Sequence, residues 1–393
     1  SGCGNTLNCN HPIVQQMILE CLRYWVTAYR INGFRFDLAS ILGRNEDGTP
    51  MSKPPLLQSL AFDPILGGVK LIAEAWDAGG LYQVGSFPSW NRFAEWNGKY
   101  RDDLRSFLKG DDGMAGAAAA RITGSMDLYD LRDRGSNPSV NFLTCHDGFT
   151  LYDLYSYNEK HNLDNGWNNT DGSNDNRSWN CGVEGETEDE EVMRLRRRLI
   201  RNACAVLLTS RGTPMFFAGD EFCNTQYGNN NAYCQDNEVS WLDWSRLEKY
   251  HDIFEFFRFM IAFRKKYAVV RKHMREGAIN FPEVSLHGLR PWHGDYQWNT
   301  HTIGVMFAGI SENHDGEDVV YIAVNAHWEE QTLTLPELPK SMVWQVEVDT
   351  WLETGFVKDA RYAGDNRIAL MPRSVQILVA KKRPEEKTTE ETE

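Results

Sequence analysis

The sequence of 393 residues lacks both a long apolar run and an excess of positive charge. The apolar run Ala203–Leu208 is far too short to cross a membrane. Its 41 Lys and Arg residues are outnumbered by 55 Asp and Glu residues, which gives a net charge of −14. Nucleic-acid-binding proteins usually present a basic face, so this balance argues against such a partner. We therefore expect no membrane and no nucleic acid among the partners.

The cysteines lack the spacing of a metal site. None of the eight shows CxxC or CxxH spacing, so no zinc site is predicted, and we expect no metal and no cofactor. Cys21 and Cys204 lie in apolar helical patterns and are predicted to be buried free thiols. Scattered cysteines favour a reducing compartment over a disulfide scaffold, so a cytoplasmic location is predicted.

Helical and strand patterns alternate over residues 1–274. Asn10 and Pro12 predict the start of the first helix, with Asn10 as its N-cap. Alternation of this kind predicts βαβ units and a parallel sheet. The predicted helices cover residues 12–30, 95–108, 191–210 and 252–267, and the predicted strands cover residues 33–38, 69–75, 139–145 and 214–218.

The pattern changes near residue 275. Residues 319–325 and 374–381 are typical of strands, and turn residues rather than helices separate them. We therefore predict an antiparallel β-sandwich over residues 275–382, followed by a disordered tail at 383–393 that lacks large apolar side chains. The polar stretch 158–188 is predicted to be a long loop.

Three acidic residues lie at the ends of predicted strands. They are Asp37, Glu74 and Asp147, in the motifs GFRFD, AEAWD and CHDG. Residues i and i+2 of a strand share a face, so Arg35 and Asp37 project together. Strand ends converge at the mouth of a barrel, and two neighbouring carboxylates are what retaining glycoside hydrolysis requires. The alternative is a structural ion pair between Arg35 and Asp37, with Glu74 and Asp147 as solvated carboxylates.

These motifs, in this order, resemble those of isoamylase-type glycogen-debranching enzymes of the α-amylase superfamily, glycoside hydrolase family 13. The run QYGNNNAYCQD at 226–236 and WLDW at 241–244 resemble debranching members in particular. The resemblance implies a (β/α)8 TIM barrel followed by a β-sandwich, and hydrolysis of α-1,6 branch linkages in glycogen, amylopectin or limit dextrin.

The resemblance also implies roles for individual residues. Asp37 is expected to be the nucleophile, Glu74 the acid/base and Asp147 a third carboxylate that binds the sugar. Arg35 and His146 are expected to bind substrate or orient the nucleophile. Trp76 is expected either to stack on a sugar or to anchor its loop.

The match departs from the family in one important way. Only about five of the eight barrel strands are found, so we expect a C-terminal portion that needs the missing N-terminal part of the same enzyme. Two alternatives stay open: another glucan-acting reaction of the superfamily, or a non-catalytic glucan-binding or assembly subunit. Asp220 and Glu221 are read as structural residues or a distal subsite wall, and Asn229–Asn231 as groove lining or as turn residues.

Overall fold

The computed structural model describes residues 4–130, 137–313 and 316–384. Most of the predicted disordered tail therefore lies outside the described residues. The chain groups into two compact units that interleave along the sequence, so the predicted boundary between residues 274 and 275 stays a prediction. The first unit comprises Ser1–Arg101, Gly124–Phe142 and Gly212–Met215, and the second comprises Asp102–Thr123, Leu143–Arg211 and Phe216–Glu393.

Five short parallel strands form the sheet of the first unit. Their spatial order matches their order in the chain, as βαβ connections predict, so the α/β class is confirmed. In the described part of the chain, β1 pairs on one side only, with β2, and its Arg35 lies opposite Ile72. The strands are β1 (Gly33–Phe36), β2 (Lys70–Ala73), β3 (Phe93–Trp96), β4 (Ser139–Phe142) and β5 (Thr213–Met215).

Helix α1 (Pro12–Tyr29) begins at Pro12 as predicted, but its N-cap lies one residue later than predicted. His11 is the cap, and its Nδ1 accepts a hydrogen bond from Ile13 N–H at 3.2 Å. Asn10 is not the cap, because its side-chain amide donates to Arg44 O at 3.0 Å. The core-facing side of α1 contributes one buried and three partly buried side chains, whereas another side exposes large apolar residues. The core-facing residues are Ile18, Leu19, Leu22 and Val26; the exposed ones are Ile13, Met17, Tyr24, Trp25 and Tyr29.

The remaining helices are short, apart from two. Helix α2 (Pro55–Phe62) was not predicted, and its leucines pack into the core of the first unit. Cys204 is a buried free thiol as predicted, but Cys21 is exposed because it lies on the outer side of α1. No helix in the described ranges is long and apolar enough to span a membrane. The helices that follow α2 are α3 (Gly98–Lys109), α4 (Ala115–Ile122), α5 (Leu151–Leu154), α6 (Glu190–Thr209), α7 (Arg246–Lys249) and α8 (His251–Lys266).

The C-terminal part of the second unit is an antiparallel β-sandwich, as predicted. A six-stranded sheet has the order β11-β10-β13-β8-β7-β6, and β12 and β9 form a second sheet. Side chains of both sheets, such as Trp344 and Leu333, share one buried core. The strands are β6 (Val284–His287), β7 (Thr302–Ile310), β8 (Glu317–Asn325), β9 (Gln331–Thr334), β10 (Met342–Asp349), β11 (Phe356–Tyr362), β12 (Arg367–Leu370) and β13 (Ser374–Lys382).

Candidate active site

Asp37 follows directly after β1 and is paired with Arg35. The alternation of a strand places both side chains on one face, and Arg35 Nη1 donates to Asp37 Oδ1 at 2.6 Å. The Asp37 side chain is 72% exposed, whereas that of Arg35 is 23% exposed. Asp37 is therefore an accessible carboxylate that a partly buried cation holds in place.

Glu74 follows directly after β2 and is buried beside the same arginine. Phe36 lies opposite Ala73 in the β1–β2 register, so the residues that follow each strand are neighbours. Glu74 Oε1 lies 3.1 Å from Arg35 Nη2, and the Glu74 side chain is only 4% exposed. One planar guanidinium thus contacts both carboxylates, which limits the separation of the contacted oxygens to about 8 Å.

The second oxygen of Glu74 is held by the backbone that follows Asp37. Glu74 Oε2 accepts a hydrogen bond from Leu38 N–H at 2.6 Å. Leu38 has φ +40° and ψ +48°, a left-handed conformation that is uncommon for a residue other than glycine. Strained backbone of this kind clusters at functional sites. Both oxygens of Glu74 therefore have defined contacts.

Trp96, at the end of β3, packs its ring against the guanidinium of Arg35. The guanidinium carbon lies 4.1 Å from the centre of the Trp96 ring, within the range of a cation–π contact. Trp96 is 8% exposed. This residue was not predicted from the sequence, although its place at the end of the strand next to β2 was a signal that could have revealed it.

Trp76 lies in a turn that is fixed by ion pairing. Its ring stacks on that of Tyr82 with 5.9 Å between centroids and 12° between planes. In the same turn the buried Asp77 binds Arg44 at 2.7 and 3.0 Å. The hydrogen bond from Arg44 is the main cause that holds the pKa of Asp77 below its ordinary value. These contacts favour the loop-anchoring interpretation of Trp76.

His146 and Asp147 follow β4 in the chain and belong to the second unit. His146 Nε2 lies 3.5 Å from Asp147 Oδ2, and their side chains are 53% and 66% exposed. The structure brings Asp37, Glu74 and Arg35 together within the first unit. Convergence of Asp147 and His146 with them stays a prediction.

Asn229 and Asn230 are not surface turn residues, and Asn231 is partly buried. Asn229 and Asn230 are 2% and 3% exposed. Their side chains exchange hydrogen bonds with Asn165 and Asn162 of the loop 158–188. The 226–236 run and this loop are therefore tied together by amide pairs, a role that neither sequence interpretation had included.

No group of three or more His, Cys, Asp or Glu side chains suited to a metal ion occurs among the described residues.

No family model matches the chain, but individual relatives do. It is 49% identical to "Isoamylase 3, chloroplastic" of Oryza sativa subsp. japonica over 355 residues, which cover 90% of this chain and 44% of that protein. It is 51% identical to "Glycogen operon protein GlgX homolog" of Mycobacterium tuberculosis over 274 residues, which cover 69% of this chain and 37% of that protein. The chain thus spans about half the length of its curated relatives or less. Because one of these relatives is chloroplastic, a cytoplasmic location stays a prediction.

Solved structures share the fold. A pullulanase from Bacillus acidopullulyticus superposes with a TM-score of 0.67 at 24% identity, covering 96% of this chain and 41% of that one. A pullulanase from Paenibacillus barengoltzii, in complex with maltohexaose and α-cyclodextrin, gives a TM-score of 0.64 at 24% identity, with coverages of 97% and 52%. These likenesses concern the amylase-type α/β fold and its C-terminal β-sandwich.

Proposed function

Because this chain belongs to the isoamylase-type branch of the α-amylase superfamily, we propose that it hydrolyses α-1,6 branch linkages of α-glucans with retention of configuration. The observation that carries the proposal is the pair Asp37 and Glu74, one exposed and one buried, on a single guanidinium. Glycogen, amylopectin and limit dextrin are the substrates that contain this linkage.

The chemistry takes two steps. Asp37 attacks the anomeric carbon and forms a glycosyl ester, while Glu74 gives its proton to the departing glycosidic oxygen. Glu74 then removes a proton from water, the water oxygen attacks the anomeric carbon, and the Asp37 carboxylate is released. Asp147 and His146 bind sugar hydroxyls, and Asp147 binds them more tightly as the ring flattens in the transition state.

Arg35 serves both carboxylates in this scheme. Its hydrogen bond to Asp37 orients the carboxylate that attacks. Its contact with Glu74 Oε1, together with the Leu38 amide at Oε2, stabilises the carboxylate that remains after proton transfer. Because Trp96 covers one face of the guanidinium, Arg35 is kept on the carboxylates rather than in solvent.

We also propose that the complete barrel has more strands than the five of this sheet. Parallel α/β sheets normally have both faces covered by helices, and a closed barrel leaves no edge strand. Strand β1 has a partner on one side only in the described ranges, and α1 exposes Trp25 and Tyr29. We propose that further strands of the same enzyme pair with β1 and cover this part of α1, and that full activity requires them.

Product analysis on a branched glucan tests the function. The chain is assayed alone and joined to whatever coding sequence precedes it in its gene. Iodine staining and reducing-end release detect debranching, and proton NMR of the first product reports its anomeric configuration. Release of linear α-1,4 chains as the α-anomer supports the proposal. Transfer products without net hydrolysis favour another reaction of the superfamily, and binding without turnover in either form favours a non-catalytic subunit.

A further inference from the structure

The Asp147 segment, defined here as residues Thr144–Leu151, links β4 to the short helix α5. It carries His146 and Asp147, whose side chains are both more than half exposed. Side chains in such a setting are not oriented by close packing, so their direction depends on how firmly the backbone of the segment is held. The second unit holds it at three points.

Asp220 fixes the two ends of the segment. Its carboxylate is 1% exposed and accepts hydrogen bonds from the Thr144 hydroxyl and from Leu151 N–H, the latter at 2.8 Å. It also accepts one from Phe217 N–H at 3.0 Å. A single buried carboxylate therefore joins the first and last residues of the segment to the turn that follows β5.

Asn230 fixes the middle of the segment. Its backbone carbonyl accepts a hydrogen bond from Gly148 N–H, next to Asp147, at 3.0 Å. Its side chain accepts from Asn162 Nδ2 and donates to Asn176 Oδ1 and to Ser173 O, each at 2.8 Å. The carbonyl that holds Gly148 is thus immobilised by the loop 158–188.

The loop is packed against Asn230 without spare room. Gly172 has φ +70°, and a Cβ built on it would lie 2.2 Å from Asn230 Oδ1 and 2.9 Å from Asn162 Nδ2. Only glycine allows the loop backbone to approach this closely. Because every polar atom of the Asn230 side chain is used, the carbonyl has little freedom to shift.

We propose that Asp220 and Asn230 are positioning residues that hold the Asp147 segment in the geometry needed for transition-state binding. This inference rests on the proposed glucan hydrolysis. It assigns a task to both residues: they act through the backbone beside Asp147 and do not touch the substrate.

The variant Asn230→Asp tests the middle point. It replaces an amide that donates to two acceptors with a carboxylate that faces both, so the network must open. Asn229→Asp is the matched control, since Asn229 is equally buried and lies in the same network, but its hydrogen bonds do not reach the Asp147 segment. The first readout is hydrogen exchange followed by mass spectrometry on the peptide that contains Gly148. We expect exchange at least about tenfold faster in Asn230→Asp, and unchanged exchange in the control.

The second readout is a double-mutant cycle on the active form of the enzyme. Asn230→Asp should lower kcat by roughly 10- to 100-fold with KM changed less than about twofold, as expected when a group that acts in the transition state is misplaced. In an Asp147→Asn background the same change should cost little more, because the two residues act through one contact. Asp220→Asn is expected to behave in the same way.

Two results would overturn the inference. One is unchanged exchange at Gly148 in Asn230→Asp, and the other is a loss of kcat that adds fully to that of Asp147→Asn. If no form of the enzyme cleaves a branched glucan, the proposed function fails, and no positioning role in that reaction remains. The exchange measurement then still reports whether Asn230 holds the segment.

Discussion

Glu74 accepts a hydrogen bond of 2.6 Å from the backbone N–H of Leu38, the residue that follows Asp37. The acid/base candidate is therefore tied to the chain that carries the nucleophile candidate, and not only to the side chain of Arg35. A shift of either strand end would move both carboxylates together. The position of Glu74 relative to Asp37 is therefore defined by contacts to both of its carboxylate oxygens.

Glu74→Gln should abolish nearly all debranching. The amide keeps the shape of the side chain but cannot give a proton and then take one back, a role that contributes roughly 10²–10⁴-fold. Initial rates on glycogen, measured by reducing-end release, check this. Glu330→Gln, at an exposed position of the β-sandwich, is the control and should retain full activity. Substantial turnover by Glu74→Gln would remove Glu74 from the acid/base role.

Arg35→Lys should reduce kcat by about ten- to a hundredfold, equivalent to losing one charged hydrogen bond. An ammonium cannot present two parallel N–H groups to Asp37 and Glu74, and it stacks less well on Trp96. Steady-state kinetics give the readout. The matched control is Arg23→Lys at the Arg23–Asp63 pair, in the same unit. Equal effects of the two changes would point to a general loss of stability instead.

Gly172→Ala should destabilise the protein by about 1–3 kcal/mol, because the new Cβ collides with Asn230 in addition to taking an unfavourable backbone conformation. Gly166→Ala separates the two causes. Gly166 lies in the same loop with φ +78°, but nothing lies within 4 Å of its Cβ position. Urea unfolding of both variants measures the difference. Equal destabilisation would show that the collision with Asn230 has no cost.

Asp220 should make stability depend on pH near neutrality. Burial raises the pKa of Asp220 to about 7 in the folded protein, from an ordinary value of 3.8. Between these values the folded state keeps a proton that the unfolded chain has lost, so the free energy of unfolding falls as pH rises from about 4 to about 7. Asp220→Asn should flatten this slope in urea unfolding measured across that range.

Asp153 provides the comparison for this pH dependence. Burial raises the pKa of Asp153 to about 6, so it contributes a similar slope that ends at lower pH. Asp153→Asn should therefore flatten the curve below about pH 6 and leave the slope between about pH 6 and pH 7 in place. A slope in Asp220→Asn as steep as that of the unsubstituted chain would contradict the assignment.

The parts of this protein that were predictable from sequence are those set by local periodicity. The strands that precede Asp37 and Glu74 were predicted because their short apolar or alternating runs are typical of strands, whereas the roles of the two carboxylates stay predictions. The switch to antiparallel strands after residue 275 was equally visible, since turns replaced helices between β runs. Short helices such as α2 have too few residues for a periodic signal and were missed.

Other features depend on partners far away in the chain. The N-cap of α1 was assigned to Asn10, but that side chain is used by Arg44, which is 34 positions away. Asn230 binds Asn162 across 68 positions. An asparagine in a turn-rich run has the same local pattern whether it faces substrate or a second asparagine, so only the folded chain distinguishes the two. The left-handed backbone of Leu38 has no local signature for the same reason.

The interleaving of the two units has a consequence for biosynthesis. The sheet of the first unit receives β5 only once Thr213–Met215 has been made, after two excursions of the chain into the second unit. The first unit therefore cannot be completed until two segments of the second unit have been made. Strands this distant in sequence pair slowly, and their edges stay exposed until they do. We therefore expect the nascent chain to bind chaperones.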